Sequence, residues 1–228
     1  MGFGDGFIGG VMRILVTCGP GYEPIDEVRR ITNFSSGRLG IRLSNAFAAR
    51  GWEVTCFKGE QAACVEPIVS AEVRMFSTNS DLARQLEEQA RTTQVDAIFH
   101  AAALCDFTID SVLDESGRLA RSAKFSTTEG RLHLVLKPAP KILPLLRSWF
   151  GKARVVGWKY ELIGSVEEAL SKAQRQIMEC QNDACVLNGK AYGKGFGLCL
   201  PDGEVRNYLD DRDLATGLIE WLEAAPSG

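Results

Sequence analysis

The residues best suited to chemistry are concentrated in one stretch, residues 29–40, which contains arginines, an amide and hydroxyl groups. Three of its side chains are able to cap the helix that is expected to follow: Asn33, Ser35 and Ser36. A helix N-terminus offers free backbone N–H groups to an anion, and Arg29 and Arg38 add positive charge. The stretch therefore predicts a site for a phosphate or a carboxylate. The alternative interpretation is a capped helix with ordinary surface arginines.

A second candidate lies at the end of a predicted strand, Val95–His100. Three alanines follow, Ala101–Ala103, and such small residues let a ligand approach the backbone. Asp106 comes soon after them, where open α/β sheets bind their ligands. His100, one of two histidines, is interpreted as a packed strand-end residue rather than as a general base.

Two glycine patterns approach the dinucleotide-binding fingerprint, and neither fits it. Gly4–Gly9 matches G-x-G-x-x-G letter for letter, but it precedes the first predicted strand, whereas the fingerprint must follow one. Cys18–Pro24 does follow that strand and contains G-x-G, yet Pro24 stands in place of the third glycine. The second pattern still predicts a tight turn near a ligand, which makes Gly19 a candidate contact.

These candidates need a framework, and the chain alternates strands with helices throughout. Short apolar runs predict the strands: Arg13–Thr17, Glu53–Phe57, Val95–His100, Val155–Trp158 and Ala184–Asn188. Apolar residues at helical spacing predict the helices between them: residues 39–51, 77–90, 138–149, 165–181 and 214–222. The resulting fold class is α/β, a doubly wound, Rossmann-like and mostly parallel sheet.

One part of the chain departs from this alternation. From Ile109 to Gly130 there is little apolar periodicity, which predicts a mobile and functional excursion. Arg131–Lys137 then alternates apolar and polar residues, the pattern of a half-exposed strand. A β-hairpin here would form an arm suited to dimer contact. A glycine-rich basic loop, Gly189–Gly197, and a second hairpin across Leu198–Val205 come later.

Composition narrows the class of protein. The 228 residues fit one domain, taken as residues 12–228, after an N-terminal extension, residues 1–11, that is expected to be disordered. A net charge of −3 predicts no nucleic-acid partner, and no apolar run is long enough to span a membrane. The seven cysteines stand singly, which fits reduced thiols in a cytoplasmic protein rather than disulfides or a zinc site.

Several of these segments together resemble the phosphopantothenate–cysteine ligases, which are also called the DNA/pantothenate metabolism flavoprotein family. The matching segments occur in the family's order from about Met12 to the C-terminus: residues 31–40, 101–107, 124–126, 138–143, 155–159 and 182–188. The most specific of them are the Asn-Phe-Ser-Ser-Gly box at residues 33–37 and the Ala-Ala-Ala-x-x-Asp strand end. Some members are fused to a flavin-dependent decarboxylase, and no such flavin domain is expected here.

The resemblance implies a two-step ligation in coenzyme A synthesis. CTP or ATP, with Mg²⁺, would activate the carboxylate of 4′-phosphopantothenate, and pyrophosphate would leave. The amine of L-cysteine would then attack the acyl-nucleotide to give 4′-phosphopantothenoylcysteine. Such chemistry needs charge neutralisation at the triphosphate and donors that hold the mixed anhydride. A homodimer is implied as well.

The resemblance also assigns roles to individual residues, and no side chain is expected to bind the metal directly. Two residues would be catalytic: Asn33, holding the acyl intermediate, and Lys124, serving the triphosphate. The substrate would be bound by Arg29, Ser35, Ser36, Gly37, Ala102, Ala103 and Asp106, with Arg29 on its phosphate. The nucleotide would be bound by Gly19, Ala102, Asp106, Lys124, Ala139, Pro140, Lys141, Ile142, Trp158 and Arg175.

One departure from the family pattern keeps alternatives open. The family places two lysines on the helix before Ala184–Asn188, and this chain has Arg175 and Glu179 there, or Gln176 and Cys180 in a register shifted by one. Either way the second lysine is missing, and Lys190 and Lys194 are possible substitutes. Two alternatives therefore stand beside the ligase: a non-catalytic nucleotide-binding paralogue, and an NAD(P)-dependent reductase, although no tyrosine here has the Tyr-x-x-x-Lys spacing.

Overall fold

The structure is a computed structural model that describes residues 11–69 and 71–224. The predicted N-terminal extension, and the glycine pattern within it, thus lie outside the described residues except for Val11. The main sheet contains eight strands: β1 (Arg13–Cys18), β4 (Glu53–Gly59), β5 (Glu72–Phe76), β6 (Ala97–His100), β9 (Arg154–Tyr160), β10 (Ala184–Asn188), β11 (Phe196–Cys199) and β12 (Val205–Tyr208). Two short hairpins lie outside it: β2 (Tyr22–Pro24) with β3 (Arg30–Thr32), and β7 (Phe107–Leu113) with β8 (His133–Pro138).

Five α-helices connect and cover these strands. They are α1 (Arg38–Ala49), α2 (Asn79–Thr92), α3 (Leu143–Phe150), α4 (Val166–Cys180) and α5 (Asp211–Ala224). Thr78 caps α2, and Ser165 forms a capping box with Glu168 at α4. None of the helices in the described residues has the length and apolar character needed to cross a membrane.

The order of the strands confirms the doubly wound α/β prediction. The sheet runs β12-β11-β10-β9-β6-β1-β4-β5, and the pairs from β10 to β5 are parallel. The chain starts in the middle at β1, builds outward to β5, and then returns to β6 on the other side of β1. Such a reversal is the topological switch point at which sheets of this kind bind ligands.

Helices pack on both faces of this sheet and close two main cores. On one face, Phe47 of α1 and Leu218 of α5 are buried against strand residues such as Val16. On the other face, Leu82 of α2 and Leu146 of α3 are buried in a second cluster. Because full burial of such a side chain contributes about 1.5–3 kcal/mol, these cores hold the loops at the strand ends in fixed positions.

The excursion after β6 is more ordered than the sequence predicted. Residues Phe107–Leu113 form β7, which pairs antiparallel with β8, so the predicted structureless segment begins with strand residues, 109–113. The sequence of β7 does not alternate regularly between apolar and polar residues, because a two-stranded arm has no deep core against which one face must be apolar. The strand was therefore not recognised. The hairpin arm itself is confirmed, and all six β8 residues are exposed.

Three further strands, β2, β3 and β5, were missed altogether by the sequence analysis. The β2–β3 hairpin has only three residues in each strand, and β5 is an edge strand with exposed residues at Val73 and Met75. Neither has the long apolar run that marks a buried strand. The β2–β3 hairpin matters for function because it lies between β1 and α1, in the stretch that carries the candidate chemistry.

Candidate functional site

The candidate site lies where β1 and β6 end, at the switch point of the sheet. The segments that follow these two strands remain joined by backbone hydrogen bonds: Ala101 N to Thr17 O (3.0 Å), Ala103 N to Gly19 O (2.9 Å) and Gly21 N to Ala103 O (3.2 Å). The structure therefore brings Gly19, Ala102 and Ala103 together at one edge of the sheet. Small side chains line this edge, so a ligand can approach the backbone.

Two glycines let the neighbouring loops close tightly at this point. Gly19 and Gly37 both have positive φ angles, +79° and +75°, which other residues rarely adopt. A Cβ atom on Gly19 would lie 2.8 Å from the Cβ of Ala62, and one on Gly37 would lie 3.3 Å from the backbone of Gly19. The start of α1 thus packs directly against the loop after β1.

The expected capping of α1 by side chains is wrong. Gly37 is the N-cap residue and makes no side-chain hydrogen bond, and the contact nearest to a cap is Arg38 N to Ser36 Oγ at 3.3 Å. The left-handed backbone of Gly37 separates Asn33 and Ser35 from the first helical turn. That turn contains no acidic residue, so its free N–H groups remain suited to an anion.

Asn33 does not cap α1, and its side chain instead makes a hydrogen bond across the site. Its amide Nδ2 donates to the backbone oxygen of Leu104 at 2.7 Å, so it spans the switch point from the α1 side to the β6 side. Thr32 Oγ1 makes a similar bridge to Gly21 O at 2.8 Å. The side chain of Asn33 remains exposed, which leaves its Oδ1 atom free to face a ligand.

Arg29 and Lys124, which the resemblance assigned to two different ligands, lie close to one another. Arg29 is in the turn of the β2–β3 hairpin, where Nη1 pairs with Asp26 Oδ2 (2.5 Å) and donates to Phe125 O (3.2 Å). Lys124 immediately precedes the buried Phe125, and its own side chain is exposed. The hairpin and the Lys124 segment thus approach the site as one unit.

Asn79 holds the backbone next to Asp106. The sequence analysis treated this residue only as part of the start of a helix. Asn79, almost fully buried in the first turn of α2, accepts from Cys105 N (3.2 Å) and donates to Cys105 O (2.8 Å). It also donates weakly to Pro140 O at 3.4 Å, and Ala139 N donates to Asp106 O at 2.9 Å. The only signal in the sequence was an asparagine placed after Thr78, which is itself an adequate cap.

The structure joins the remaining predicted nucleotide-binding residues less closely than those described above. Lys141 and Pro140 are exposed beside Asp106, whereas the side chain of Ile142 is buried in the core and leaves only its backbone available. Trp158 is half-buried near the end of β9, and its Nε1 atom is buried with no partner among the described residues. Trp158 lies near the end of β9 and residues 139–142 lead into α3, and among the described residues no hydrogen bond of the Trp158 indole joins the two.

The two possible registers of the missing lysines fall on different faces of α4. Arg175 and Glu179 are exposed, whereas Gln176 lies against β9, where a Cβ on Gly157 would be 2.5 Å from its Nε2 atom. Arg175 thus lies on the solvent side of α4. Burial and the charge of Glu179 raise the pKa of the Cys180 thiol, and the charges of Lys141 and Lys159 partly offset that effect.

The buried histidine is not poised for proton transfer. His100 Nδ1 lies 2.8 Å from Thr17 Oγ1, and burial lowers the pKa of the imidazole to about 4. The imidazole is therefore neutral at physiological pH, and His100 is a packed residue at the end of β6, as the sequence predicted. Within the described residues there is no cluster of three or more metal-binding side chains. Asp106 is an exposed carboxylate beside the predicted triphosphate site, which suits a magnesium ion held mainly by phosphate oxygens.

Comparison with known proteins agrees with this architecture. A family model described as the DNA/pantothenate metabolism flavoprotein C-terminal domain matches residues 10–205. The coenzyme A biosynthesis bifunctional protein CoaBC of Thermococcus kodakarensis is 31% identical over 79% of this chain and 42% of its own length. This chain therefore spans less than half the length of that relative.

Solved structures show the same fold. The DNA/pantothenate metabolism flavoprotein from Streptococcus pneumoniae has a TM-score of 0.83 at 24% identity, covering 94% of this chain and 99% of that one. A Cab2 variant in complex with phosphopantothenate-cysteine has a TM-score of 0.73 at 19% identity, covering 93% of this chain and 85% of that one. By its sequence match and its fold, the chain belongs to the DNA/pantothenate metabolism flavoprotein C-terminal domain family.

Proposed function

We propose that this chain is a phosphopantothenate–cysteine ligase that acts in coenzyme A synthesis through an acyl-nucleotide intermediate. The observation that carries the proposal is the bridge from Asn33 to Leu104 across the switch point, in a chain of this family. It gathers an amide, the free N–H groups of α1 and the small residues after β6 at one place. Those groups suit a carboxylate that becomes a mixed anhydride with a phosphate.

The reaction requires two displacements at one substrate carboxyl group. The carboxylate of 4′-phosphopantothenate attacks the α-phosphorus of CTP or ATP, an oxygen–phosphorus bond forms, and pyrophosphate leaves. The amine of L-cysteine then attacks the acyl carbon, the amide bond forms, and the nucleoside monophosphate leaves with the electrons of the broken bond. The amine gives up a proton to solvent. Bound Mg²⁺ would neutralise charge on the triphosphate.

The residues of this chain contribute mainly binding and charge. Arg29 offers a guanidinium to the phosphate of 4′-phosphopantothenate, and Ser35 and Ser36 with Gly37 border the free end of α1. Asn33 holds the mixed anhydride through its amide. Lys124, which is exposed on a segment anchored beside Arg29, brings positive charge to the departing pyrophosphate.

We further propose that the active form is a homodimer joined through the β7–β8 arm. Apolar side chains are exposed along both strands of this arm: Phe107, Leu134, Val135 and Leu136. Lone exposed apolar residues are common on protein surfaces, but four on one projecting hairpin favour burial by a second copy. Sedimentation of the purified chain gives its mass, and a monomer at micromolar concentration would contradict this part.

The geometry does not favour a dinucleotide-dependent reductase. In such enzymes the glycine-rich turn leads straight from the first strand into a helix whose N-terminus holds the pyrophosphate. Here the β2–β3 hairpin stands between β1 and α1, and Pro24 occupies the third glycine position. The non-catalytic paralogue is the alternative that the experiment must separate from the ligase.

The decisive experiment is product formation by the purified chain. Folded protein is incubated with Mg²⁺, 4′-phosphopantothenate, L-cysteine and either CTP or ATP, and the product is detected by mass spectrometry together with released pyrophosphate. We expect 4′-phosphopantothenoylcysteine with at least one nucleotide, and no product when the nucleotide is omitted. Absence of product with both nucleotides, in protein that still binds one of them, would establish the paralogue instead.

A further inference from the structure

A buried carboxylate, Asp26, lies in the turn of the β2–β3 hairpin, and its side chain is 0% exposed. Its Oδ1 atom accepts from Val28 N at 2.9 Å and from Arg29 N at 2.7 Å. Its Oδ2 atom pairs with Arg29 Nη1 at 2.5 Å and accepts from Phe125 N at 3.3 Å. One carboxylate therefore joins the hairpin turn, the guanidinium of Arg29 and a segment almost 100 residues away.

That segment, Ser122–Ser126, is attached to the hairpin on both sides of Lys124. Before Lys124, the backbone oxygen of Ala123 accepts from Glu27 N at 3.0 Å. After Lys124, Phe125 donates its N–H to Asp26, accepts from Arg29 and buries its ring. The exposed ammonium of Lys124 thus projects from a short piece of backbone that is fixed at each end.

The charge on Asp26 is part of this arrangement. Burial acts to raise the pKa of the carboxyl group, but hydrogen bonds from Val28, Phe125 and Arg29 outweigh it and hold the pKa below its usual value. The group is consequently a carboxylate at neutral pH. It engages only Nη1 of Arg29, and none of the described contacts uses Nε or Nη2 of that guanidinium. Those two atoms are available to a phosphate.

We propose that Asp26 is a positioning residue that holds the Lys124 segment against the hairpin and fixes the guanidinium of Arg29. The inference rests on the proposed function, in which Arg29 meets a phosphate monoester and Lys124 meets a triphosphate. Asp26 contacts neither ligand itself. It sets the distance between the two cations, so both phosphate groups of the reaction depend on one buried carboxylate.

The test begins with Asp26→Asn, which keeps the size of the side chain. Its Oδ1 atom still accepts from the turn, but the new NH₂ group faces two donors, Phe125 N–H and the guanidinium of Arg29. We expect the Phe125 amide to exchange its hydrogen about tenfold faster, because a hydrogen bond to a charged group is lost. The matched control is Asp114→Asn, since Asp114 also accepts from turn amides, Ser116 N (2.8 Å) and Arg118 N (2.9 Å), and does not contact the Lys124 segment.

Activity provides an independent readout. In Asp26→Asn we expect the KM for 4′-phosphopantothenate to rise about tenfold and pyrophosphate release to fall by a similar factor, whereas Asp114→Asn stays near wild type. If the wild-type chain makes no product, the proposed function fails, and the exchange result still decides the role of Asp26. If wild type is active and Asp26→Asn matches it in exchange or in rate, the inference is overturned.

A general loss of folding must be separated from a local one. Asp26→Asn is expected to melt within a few degrees of wild type, because the hairpin lies outside the main sheet. Should it melt much earlier, Asp26→Glu restores the charge and is measured in the same way. Early melting of both variants would overturn the inference, since Asp26 would then hold the fold together rather than the Lys124 segment.

Discussion

Replacing Asn33 with aspartate tests the site most directly, because the two side chains have nearly the same shape. In the structure Asn33 Nδ2 donates to Leu104 O at 2.7 Å, and an aspartate would place an oxygen there instead. The side chain is exposed, so the new carboxylate can turn to water and lose little more than one hydrogen bond. We therefore expect a stability loss of about 1 kcal/mol, or roughly 2–4 °C in melting temperature.

The expected effect on turnover is much larger. A carboxylate about 4 Å from the phosphate of the mixed anhydride would repel it by about 4 kcal/mol at an effective dielectric constant near 20. That energy corresponds to a rate lower by roughly a thousandfold. The loss should appear in pyrophosphate release, since the charge acts on formation of the anhydride.

A matched control separates this effect from ordinary loss of an amide donor. Asn45 Nδ2 also donates to a backbone oxygen, that of Pro67 at 2.9 Å, and it is away from the switch point. Asn45→Asp should lower the melting temperature by a similar amount and leave turnover within a few-fold of wild type. If Asn33→Asp also turned over at nearly the wild-type rate, Asn33 would not contact the intermediate and the reasoning above would be refuted.

Three further changes have expected outcomes. Lys124→Gln should keep the melting temperature and reduce pyrophosphate release about a hundredfold to a thousandfold, while supplied acyl-nucleotide restores much of the cysteine step. Gly40→Ala should lower stability by about 1–3 kcal/mol in urea unfolding, because the added methyl group overlaps Cys18 Cβ beneath α1. His100 has a pKa of about 4 in the fold, whereas in the unfolded chain it is protonated below about pH 6.5. The free energy of unfolding should therefore fall by about 2 kcal/mol from pH 7 to pH 5 because of this residue. In His100→Gln this pH-dependent loss of stability should disappear.

Each of these outcomes has a result that would contradict it. Lys152→Gln changes an exposed lysine in the turn between α3 and β9, and an equal loss of activity there would make the Lys124 effect nonspecific. If the free energy of unfolding of Gly40→Ala equalled that of wild type, α1 could move away from β1 without loss of stability. If the free energy of unfolding of His100→Gln depended on pH as strongly as that of wild type, a different titrating group would be responsible.

The parts of the fold that the sequence predicted are those with a strong periodic signal. The strand Ala184–Asn188 was predicted to the residue, and α4 was predicted to within one residue at each end, because buried runs and capping boxes leave clear patterns. The β2–β3 hairpin was missed because three-residue strands carry no such pattern. As a result, Arg29 was correctly placed in a loop, but the sequence did not show that this loop is a hairpin turn in which Arg29 pairs with Asp26.

Residue patterns named candidates for the site but did not show the contacts between them. The arginines, amide and hydroxyls of residues 29–40 pointed to Asn33, and a position soon after a predicted strand pointed to Asp106. They did not reveal that Asn33 reaches Leu104 or that Asn79 holds Cys105, because those contacts join residues 71 and 26 positions apart. Pairings over such distances depend on the order of the strands, which local patterns do not contain.

The phase of α4 changes how a triphosphate would be neutralised in this chain. A helix face is set by 3.6 residues per turn, so a shift of one residue turns a side chain by about 100°. Arg175 and Glu179 consequently face solvent, while the charges of Lys141 and Lys159 act to lower the pKa of the Cys180 thiol. Both lysines come from segments at the carboxyl ends of the sheet rather than from α4. Lys159 already lies 3.6 Å from Glu161 Oε1, so we expect Lys141 to supply most of the positive charge that the family places on this helix, which is compatible with ligase activity despite the missing lysine.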